Sequence, residues 1–176
     1  MIIIIGPSAS GKSTIEKELV KVGYKNIVSY TTRPIRINEE QDREYHFISE
    51  DEFSKKISEG FFAESTIYGP RWRYGAAKED VHEDSVVVVE PYGMRQLKKI
   101  EGANTKIFFI ECPERQRIVR LVNRGDDIME LFRRVISDKG LFYGVYDEVD
   151  YIINNEDGKL HEAVTEILEI LGKEDC

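Results

Sequence analysis

A short apolar run that leads straight into a loop of small residues restricts the folds open to this chain. The run is Ile2–Ile5, and its unbroken β-branched character predicts a strand buried on both faces. The loop GPSASGKST follows at once over Gly6–Thr14 and matches the pattern G-x-x-x-x-G-K-[ST], and a helix is predicted over Ser13–Val22. A strand, a glycine-rich turn and a helix in that order predict an α/β fold that binds phosphate groups at the helix N-terminus.

The residue types in this loop suit a nucleoside triphosphate. Small residues let backbone N–H groups curl around the phosphates. Lys12 would reach the β- and γ-phosphates, and Ser13 would hold Mg²⁺. We therefore expect nucleotide contacts along the whole loop, from Gly6, Pro7, Ser8, Ala9, Ser10, Gly11, Lys12, Ser13 and Thr14. The motifs D-x-x-G and N-K-x-D, expected of a GTPase, do not occur in the sequence.

Further β-branched runs alternate with helical patterns along the chain. The runs predict strands at Val86–Val89, Lys106–Ile110 and Tyr151–Ile153. The helical patterns lie at Gly93–Glu101, Pro113–Val122, Ile128–Asp138 and Leu160–Leu171. This alternation predicts a mostly parallel sheet with helices on both faces.

The segment from Tyr30 to Gly75 interrupts this alternation. It starts with a polar stretch and then predicts strands at Tyr45–Ile48 and Phe61–Tyr68, with a short helix near Asp51–Ser58. We interpret residues 30–75 as an insertion into a core made of residues 1–29 and 76–176. With 176 residues, the chain is expected to form one domain.

Within the insertion, the sequence SYTTRPIRINEEQDREYHF places two arginines close together. Arg33 and Arg36 are three positions apart, and their guanidinium groups could hold one phosphate bidentately. Tyr45 could add a phenolic hydroxyl. The alternative is a solvated basic loop, and composition alone leaves both interpretations open.

The net charge of −8 argues against a general nucleic-acid or membrane binder, so we expect small-molecule partners. The two cysteines, Cys112 and Cys176, make no disulfide framework, which favours a reducing compartment. The apolar run at the start of the chain is too short for a membrane span. A cytoplasmic location is therefore expected, and nothing in the sequence sets the oligomeric state.

With these motifs in order, the chain resembles the guanylate kinase family. That family opens with a strand and GPSGxGKST, followed by SxTTRxPRxGExxGxDYxF, and this chain carries GPSASGKST and SYTTRPIRINEEQDREYHF. Looser matches follow: FFAESTIYGPRWRYG resembles FxExxxxxGNYYG, and VVVVEPYG resembles a strand that ends in DxxG. RLVNRG with FRRV resembles the family's lid, RLxxRG with xxRL, and EVDYIINNED resembles DxVIVND.

The resemblance implies a P-loop kinase core with a mostly parallel sheet, an inserted acceptor-binding subdomain and a small helical lid at about 123–138. It also implies a reaction: Mg²⁺-dependent transfer of the γ-phosphoryl group of ATP to GMP, which gives GDP. The same chemistry on another acceptor, such as a different nucleoside monophosphate or a ribose bisphosphate, remains an alternative. A binding module without catalysis is a weaker one, because such modules typically have a degraded P-loop and Lys12 and Ser13 are intact.

The resemblance further implies roles for single residues. The catalytic set is Lys12, Arg36, Arg124 and Arg134, with both lid arginines neutralising the transferring group. The acceptor set is Ser29 and Glu64 for the guanine edge, Arg33, Arg36, Tyr45 and Tyr74 for the phosphate, and Glu90 near acceptor and metal. Asn155 stands where the family has an asparagine near the adenine of ATP.

Five departures from the family pattern are visible. Ala76 stands where the family often has a hydroxyl residue, and Glu90 replaces the commoner aspartate. Ala9 replaces a glycine of the P-loop, at a place where we expect little effect. The GPRWRYG stretch is one residue longer than the family pattern. The lid is one residue shorter between Arg124 and Arg134, so Arg133 is a rival for the second lid arginine.

Overall fold

The run Ile2–Ile5 forms the middle strand of a parallel sheet in the computed structural model, which describes residues 1–36, 39–68, 72–100, 104–125 and 127–172. The strands of these residues are β1 (Ile2–Ile5), β2 (Lys25–Asn26), β3 (Tyr30–Thr31), β4 (His46–Phe47), β5 (Phe62–Tyr68), β6 (Trp72–Ala77), β7 (Ser85–Val88), β8 (Lys106–Glu111) and β9 (Tyr151–Asn154). The helices are α1 (Lys12–Lys21), α2 (Glu50–Ser58), α3 (Pro91–Leu97), α4 (Glu114–Asn123), α5 (Ile128–Leu141) and α6 (Leu160–Ile170). Short 3₁₀ turns lie at Lys78–Asp80 and Val145–Glu148. Among the described residues, no helix combines the length and apolarity that crossing a membrane requires.

The main sheet has five strands in the order β2-β7-β1-β8-β9, and all neighbouring strands are parallel. Because side chains alternate across a strand, β1 serves two cores. Ile3 and Ile5 pack in the core that contains Met94 of α3. Ile2 and Ile4 pack in the opposite core, which α1 and α6 complete. Covering both faces explains why β1 has no polar residue.

A second sheet, in the order β4-β3-β6-β5, is built from residues 30–77. β6 pairs antiparallel with both β3 and β5, while β3 and β4 are parallel. α2 leads into β5, and its N-cap residue, Ser49, forms a capping box with Glu52. Phe53 of α2 stacks on Phe62 of β5 with ring centroids 4.5 Å apart, which fixes the helix to the sheet.

The α/β class with a mostly parallel sheet is confirmed, and the element boundaries differ in places. β6 was not predicted, because Trp72–Ala77 lacks the β-branched run from which the other strands were predicted. α3 begins at Pro91 rather than at Gly93, since proline at the first helical turn loses no hydrogen bond. The predicted end of that helix, Glu101, lies outside the described residues. α5 continues to Leu141, three residues beyond its predicted end at Asp138.

Candidate active site

A cavity of about 880 Å³ lies where the carboxyl ends of the parallel strands meet the second sheet. The P-loop follows β1, Glu90 follows β7 and Asn155 follows β9, so three strand ends supply its core side. Binding at this edge is typical of open parallel sheets. The predicted residues that line the cavity are Ser8, Ala9, Gly11, Lys12, Ser13, Thr14, Ser29, Arg33, Arg36, Tyr45, Glu64, Tyr74, Glu90, Arg124, Arg134 and Asn155. The other predicted residues, Gly6, Pro7 and Ser10, belong to the P-loop but are not among the lining residues.

Lys12 is the cation at the centre of the loop. Its Nζ atom donates hydrogen bonds to the carbonyl oxygens of Gly6 at 2.6 Å and Pro7 at 3.0 Å. Burial lowers the pKa of Lys12, while the carboxyl groups of Glu90 and Asp138 act in the opposite direction. The ammonium group is therefore held inside the loop, where phosphate oxygens could replace the carbonyl acceptors.

The outer side of the loop is held by Arg120 and Asn155. Arg120 donates from Nη1 to the carbonyl oxygens of Ala9 at 3.2 Å and Ser10 at 3.4 Å. The Asn155 side chain is buried and donates to the Ser10 carbonyl at 2.8 Å. A side chain at Gly11 would collide with the Asn155 amide, so this approach requires glycine. Sequence analysis missed Arg120, although it lies in the quoted RLVNRG motif; the adenine contact of Asn155 stays a prediction.

The predicted phosphate clamp contains an acidic partner that sequence analysis missed. Arg33 is buried, and its guanidinium group makes two hydrogen bonds to Glu39, at 2.8 and 3.0 Å. The same carboxylate accepts from the Arg36 backbone N–H at 2.9 Å. The ring of Tyr45 lies 5.4 Å from the Arg33 guanidinium carbon and 5.7 Å from the ring of Tyr74. Glu39 thus orients the loop that carries both arginines.

Glu64 is a buried carboxyl group that faces the same cavity. It is 2% exposed, and its Oε2 atom has no hydrogen-bond partner within the described residues. Burial raises the pKa of Glu64 to about 7, against the effect of a hydrogen bond from the Ala76 backbone. A side chain on Gly93 would come within 2.7 Å of Oε2, so the carboxyl group needs glycine at that position. The register of β5 shifts between Phe62 and Glu64, a bulge of the kind that re-aims a side chain.

Ser29 and Glu90 complete the predicted acceptor side. Ser29 is buried and lies in the chain segment that joins β2 to β3. Glu90 precedes α3, and burial raises the pKa of its carboxyl group to about 7, with Lys12 opposing. Within the described residues, its Oε2 atom is buried without a hydrogen-bond partner. A ligand with donor groups or a cation would satisfy that oxygen.

Glu16 was also missed by sequence analysis. It lies one helical turn after Lys12 on α1 and lines the cavity. Burial raises the pKa of Glu16 to about 8, opposed by Lys17, by a hydrogen bond from the Val88 backbone and by Lys12. Only its helical spacing from Lys12 could have pointed to this position.

The two arginines predicted for the lid lie at the end of α4 and on α5. Arg124 directly follows α4, and Arg134 lies on α5, where it donates to Glu130 at 2.8 Å. Arg134 lines the cavity, whereas Arg133 bonds to Glu130 and is not among the lining residues. This placement favours Arg134 as the second lid arginine. Asp126, within the predicted lid, lies outside the described residues.

Comparison with known proteins assigns the chain to a family. A family model described as guanylate kinase matches residues 1–174. The chain belongs to the guanylate kinase family. The guanylate kinase of Clostridium tetani is 32% identical, and the match covers 100% of this chain and 86% of that protein. The guanylate kinase of Thiobacillus denitrificans is 31% identical over 88% of this chain and 78% of that protein.

A solved structure shares the guanylate kinase fold with this chain. The crystal structure of guanylate kinase from Anaplasma phagocytophilum matches with a TM-score of 0.75 and 22% identity. The match covers 98% of this chain and 84% of that one. The family resemblance seen in the sequence motifs is therefore confirmed.

Proposed function

We propose that this member of the guanylate kinase family transfers the γ-phosphoryl group of ATP to GMP, giving ADP and GDP. The observation that carries the choice of acceptor is Glu64, a buried carboxyl group beside Gly93 in the cavity that also contains the P-loop. Its Oε2 atom is buried without a hydrogen-bond partner in the described part of the chain, which is costly, so we infer that a ligand completes its hydrogen bonds.

Guanine fits that requirement. Its N1–H and exocyclic amine lie side by side and can both donate to the carboxylate of Glu64, and Ser29 can donate to O6. Adenine presents a lone pair at N1, which would face the carboxylate in a desolvated contact. A site built on such hydrogen bonds rejects the wrong base strongly, because buried polar groups are left unpaired.

The acceptor phosphate is assigned to Arg33, Arg36, Tyr45 and Tyr74, which line the cavity on its insertion side. ATP is assigned to the P-loop, with Lys12 at the β- and γ-phosphates. Two like-charged substrates must be brought together, so the protein acts chiefly by alignment and charge neutralisation. Arg124 and Arg134 would add positive charge at the transferring group when the lid closes and excludes water.

The residues beside Lys12 fit a magnesium ion. Ser13 lines the cavity, and Glu90 offers a buried carboxylate oxygen without a partner in the described part of the chain. Mg²⁺ prefers oxygen ligands and is usually held by one or two side chains together with substrate phosphates. When bound, it neutralises charge on the phosphate oxygens; Ser13 and Glu90 would hold it.

We also propose that the enzyme is located in the cytoplasm. Cys112, the single cysteine among the described residues, is buried and forms no disulfide bond, which suits a reducing compartment. We propose that the partners of the enzyme are its small-molecule substrates.

The deciding measurement is kcat/KM for GMP against AMP, in the wild type and in Glu64→Gln. We expect a preference for GMP of at least ~100-fold, most of which is lost in the variant, in line with one unpaired charged contact. Glu59→Gln, an exposed glutamate of the same subdomain, is the matched control. If AMP or a ribose phosphate were used as readily as GMP, the assignment of GMP as acceptor would be wrong. The assignment of phosphoryl transfer from ATP would not be affected.

A further inference from the structure

The P-loop holds a non-glycine residue in a conformation that favours glycine. Ala9 has a φ of +59°, and the only other described non-glycine residue with positive φ is Asp42. A Cβ atom in this left-handed region is close to the following carbonyl oxygen, which costs about 1–2 kcal/mol. Such a residue persists only where its surroundings enforce the conformation.

Both backbone polar groups of Ser8, the residue before Ala9, are hydrogen-bonded to one buried ion pair. The Ser8 N–H donates to Oδ2 of Asp138 at 2.8 Å, and the Ser8 carbonyl accepts from Nη1 of Arg117 at 3.3 Å. The Nη1 atom of Arg117 lies 3.4 Å from Oδ2 of Asp138, and both residues are buried. Arg117 is itself oriented by a hydrogen bond from Nε to the Cys112 carbonyl at 3.2 Å.

The backbone carbonyl groups of the next two residues, Ala9 and Ser10, accept hydrogen bonds from other side chains. Arg120 donates to the carbonyl oxygens of Ala9 and Ser10, and Asn155 donates to that of Ser10. Helices α4 and α5 and the segment after β9 therefore fix the left-handed turn from three directions. Asp138 is the member that reaches the N–H side, and it stands one turn after the lid arginine Arg134 on α5.

We propose that the Arg117–Asp138 pair is a positioning device that holds the P-loop in the turn that Ala9 disfavours, and so keeps the ATP site formed. The pair compensates for the alanine that stands where the family has a glycine. A buried ion pair is by itself weak evidence for stability, because desolvation offsets the attraction. Its contacts to both polar groups of Ser8 give it a role in loop geometry instead.

The proposal rests on the proposed function only in that the P-loop binds ATP, and it makes no use of the acceptor. The test is a cycle that compares the effect of Arg117→Leu/Asp138→Ala in two backgrounds, the natural Ala9 and Ala9→Gly. The double change removes both buried charges, so no unpaired charge is left in the core. Binding of the ATP analogue AMP-PNP with Mg²⁺ is measured by calorimetry, with thermal unfolding beside it. Lys139→Ala, the exposed neighbour of Asp138 on α5, is the control.

With Ala9, removing the pair should weaken AMP-PNP binding roughly 5- to 25-fold, which is about 1–2 kcal/mol at 1.4 kcal/mol per factor of ten. In the Ala9→Gly background, the same removal should cost less than about twofold, because the turn is no longer strained. The GMP KM should stay within about twofold in both backgrounds, since none of the pair's hydrogen bonds in the described residues is to a predicted acceptor residue. Amide exchange at Ser8 should quicken when the pair is removed.

Two results would overturn the proposal: no loss of AMP-PNP binding with Ala9, or an equal loss with Ala9 and with Ala9→Gly. If the double variant does not fold, Asp138→Asn replaces it in the same cycle. Its amide oxygen can still accept from the Ser8 N–H while the ion pair is lost, so a smaller loss is expected, again reduced by Ala9→Gly. An equal effect of Asp138→Asn in both backgrounds would also overturn the proposal.

Discussion

Lys12 is the residue for which we expect the largest effect of a single substitution. Lys12→Ala should lower kcat by several orders of magnitude, because stabilising developing charge is the main catalytic term in phosphoryl transfer. The measurement is a coupled assay of ADP release at saturating ATP and GMP. Lys21→Ala, an exposed lysine in the last turn of the same helix, is the control. Turnover near the wild-type rate in Lys12→Ala would contradict the assignment of the loop.

Arg36 is predicted to contact the acceptor and not ATP, so its substitution should affect the two substrates differently. Arg36→Ala should raise the KM for GMP sharply and leave ATP binding nearly intact, since Arg36 belongs to the predicted phosphate clamp. Arg36→Lys should rescue poorly, because a planar fork is replaced by a point charge. Steady-state kinetics with each substrate varied in turn would check this. The roles would be exchanged if ATP affinity fell and GMP affinity held.

The ionisation of Glu64 should set a pH dependence for GMP. Burial raises the pKa of Glu64 to about 7, and only the ionised form accepts from both guanine donors. In the free enzyme, kcat/KM for GMP should therefore fall about tenfold from about pH 7.5 to about pH 6, a unit below that pKa. Glu90 has a similarly raised pKa, so Glu90→Gln is measured alongside. A flat profile in the wild type would rule out an ionised Glu64 in recognition.

At the scale of elements, the segment between α4 and α5 should move. Arg124 and Arg134 flank it, and closure would bring both to the transferring phosphoryl group. Hydrogen exchange of amides around 124–127 should slow when a bisubstrate analogue binds. Amides of α6, which packs in the core behind β1, serve as the reference. Equal exchange with and without the analogue would speak against closure.

Four of the five strands of the main sheet, β1, β7, β8 and β9, could be predicted because their composition reflects their burial. Ile2–Ile5 is apolar throughout, and such a run has few alternatives. Trp72–Ala77 could not be predicted in the same way, since it holds arginine and glycine and is a strand only because β3 and β5 flank it. The strands β2 and β3, of two residues each, are likewise set by their neighbours.

The same division applies to the site. Lys12 and Arg33 belong to local motifs with a spacing that carries chemistry, so a linear reading finds them. Asp138 lies 130 positions from its partner Ser8, and no local pattern marks it. Glu39 is six positions from Arg33, yet it reads as one acidic residue among several in a polar stretch. Residues whose motif spacing carries chemistry could therefore be proposed from the sequence, whereas contacts that depend on the fold could not.

At the scale of the whole molecule, the raised pKa values of three carboxyl groups predict a contribution to stability that is lost as pH rises. Glu16, Glu64 and Glu90 titrate near 4.5 when unfolded and at about 8, 7 and 7 when folded. Between these values the folded state binds more protons than the unfolded chain, so the free energy of unfolding falls with pH. Each group contributes at most about 1.4 kcal/mol per pH unit.

Urea unfolding at about pH 5.5 and about pH 8 tests this, with Glu16→Gln beside the wild type. The variant should show the smaller decrease, because one titrating group is gone. The matched control is Glu18→Gln on the same helix, where a partly exposed carboxylate paired with Lys21 is removed; it should leave the decrease unchanged. A larger decrease in Glu16→Gln than in the wild type would contradict the raised pKa of Glu16.

The central place of β1 also affects how the chain is made. Both of its partners, β7 and β8, come later in the chain, and β8 begins about 100 residues after β1 ends. At 5–20 residues per second, a ribosome needs about 5–20 s to supply that partner. During this interval the all-isoleucine strand β1 lacks β8, one of the two strands that pair with it. An apolar strand without its partner is prone to aggregate. Nascent chains should therefore depend on chaperones until β8 emerges from the ribosome. Biosynthesis is then the period in which this enzyme is most prone to aggregate.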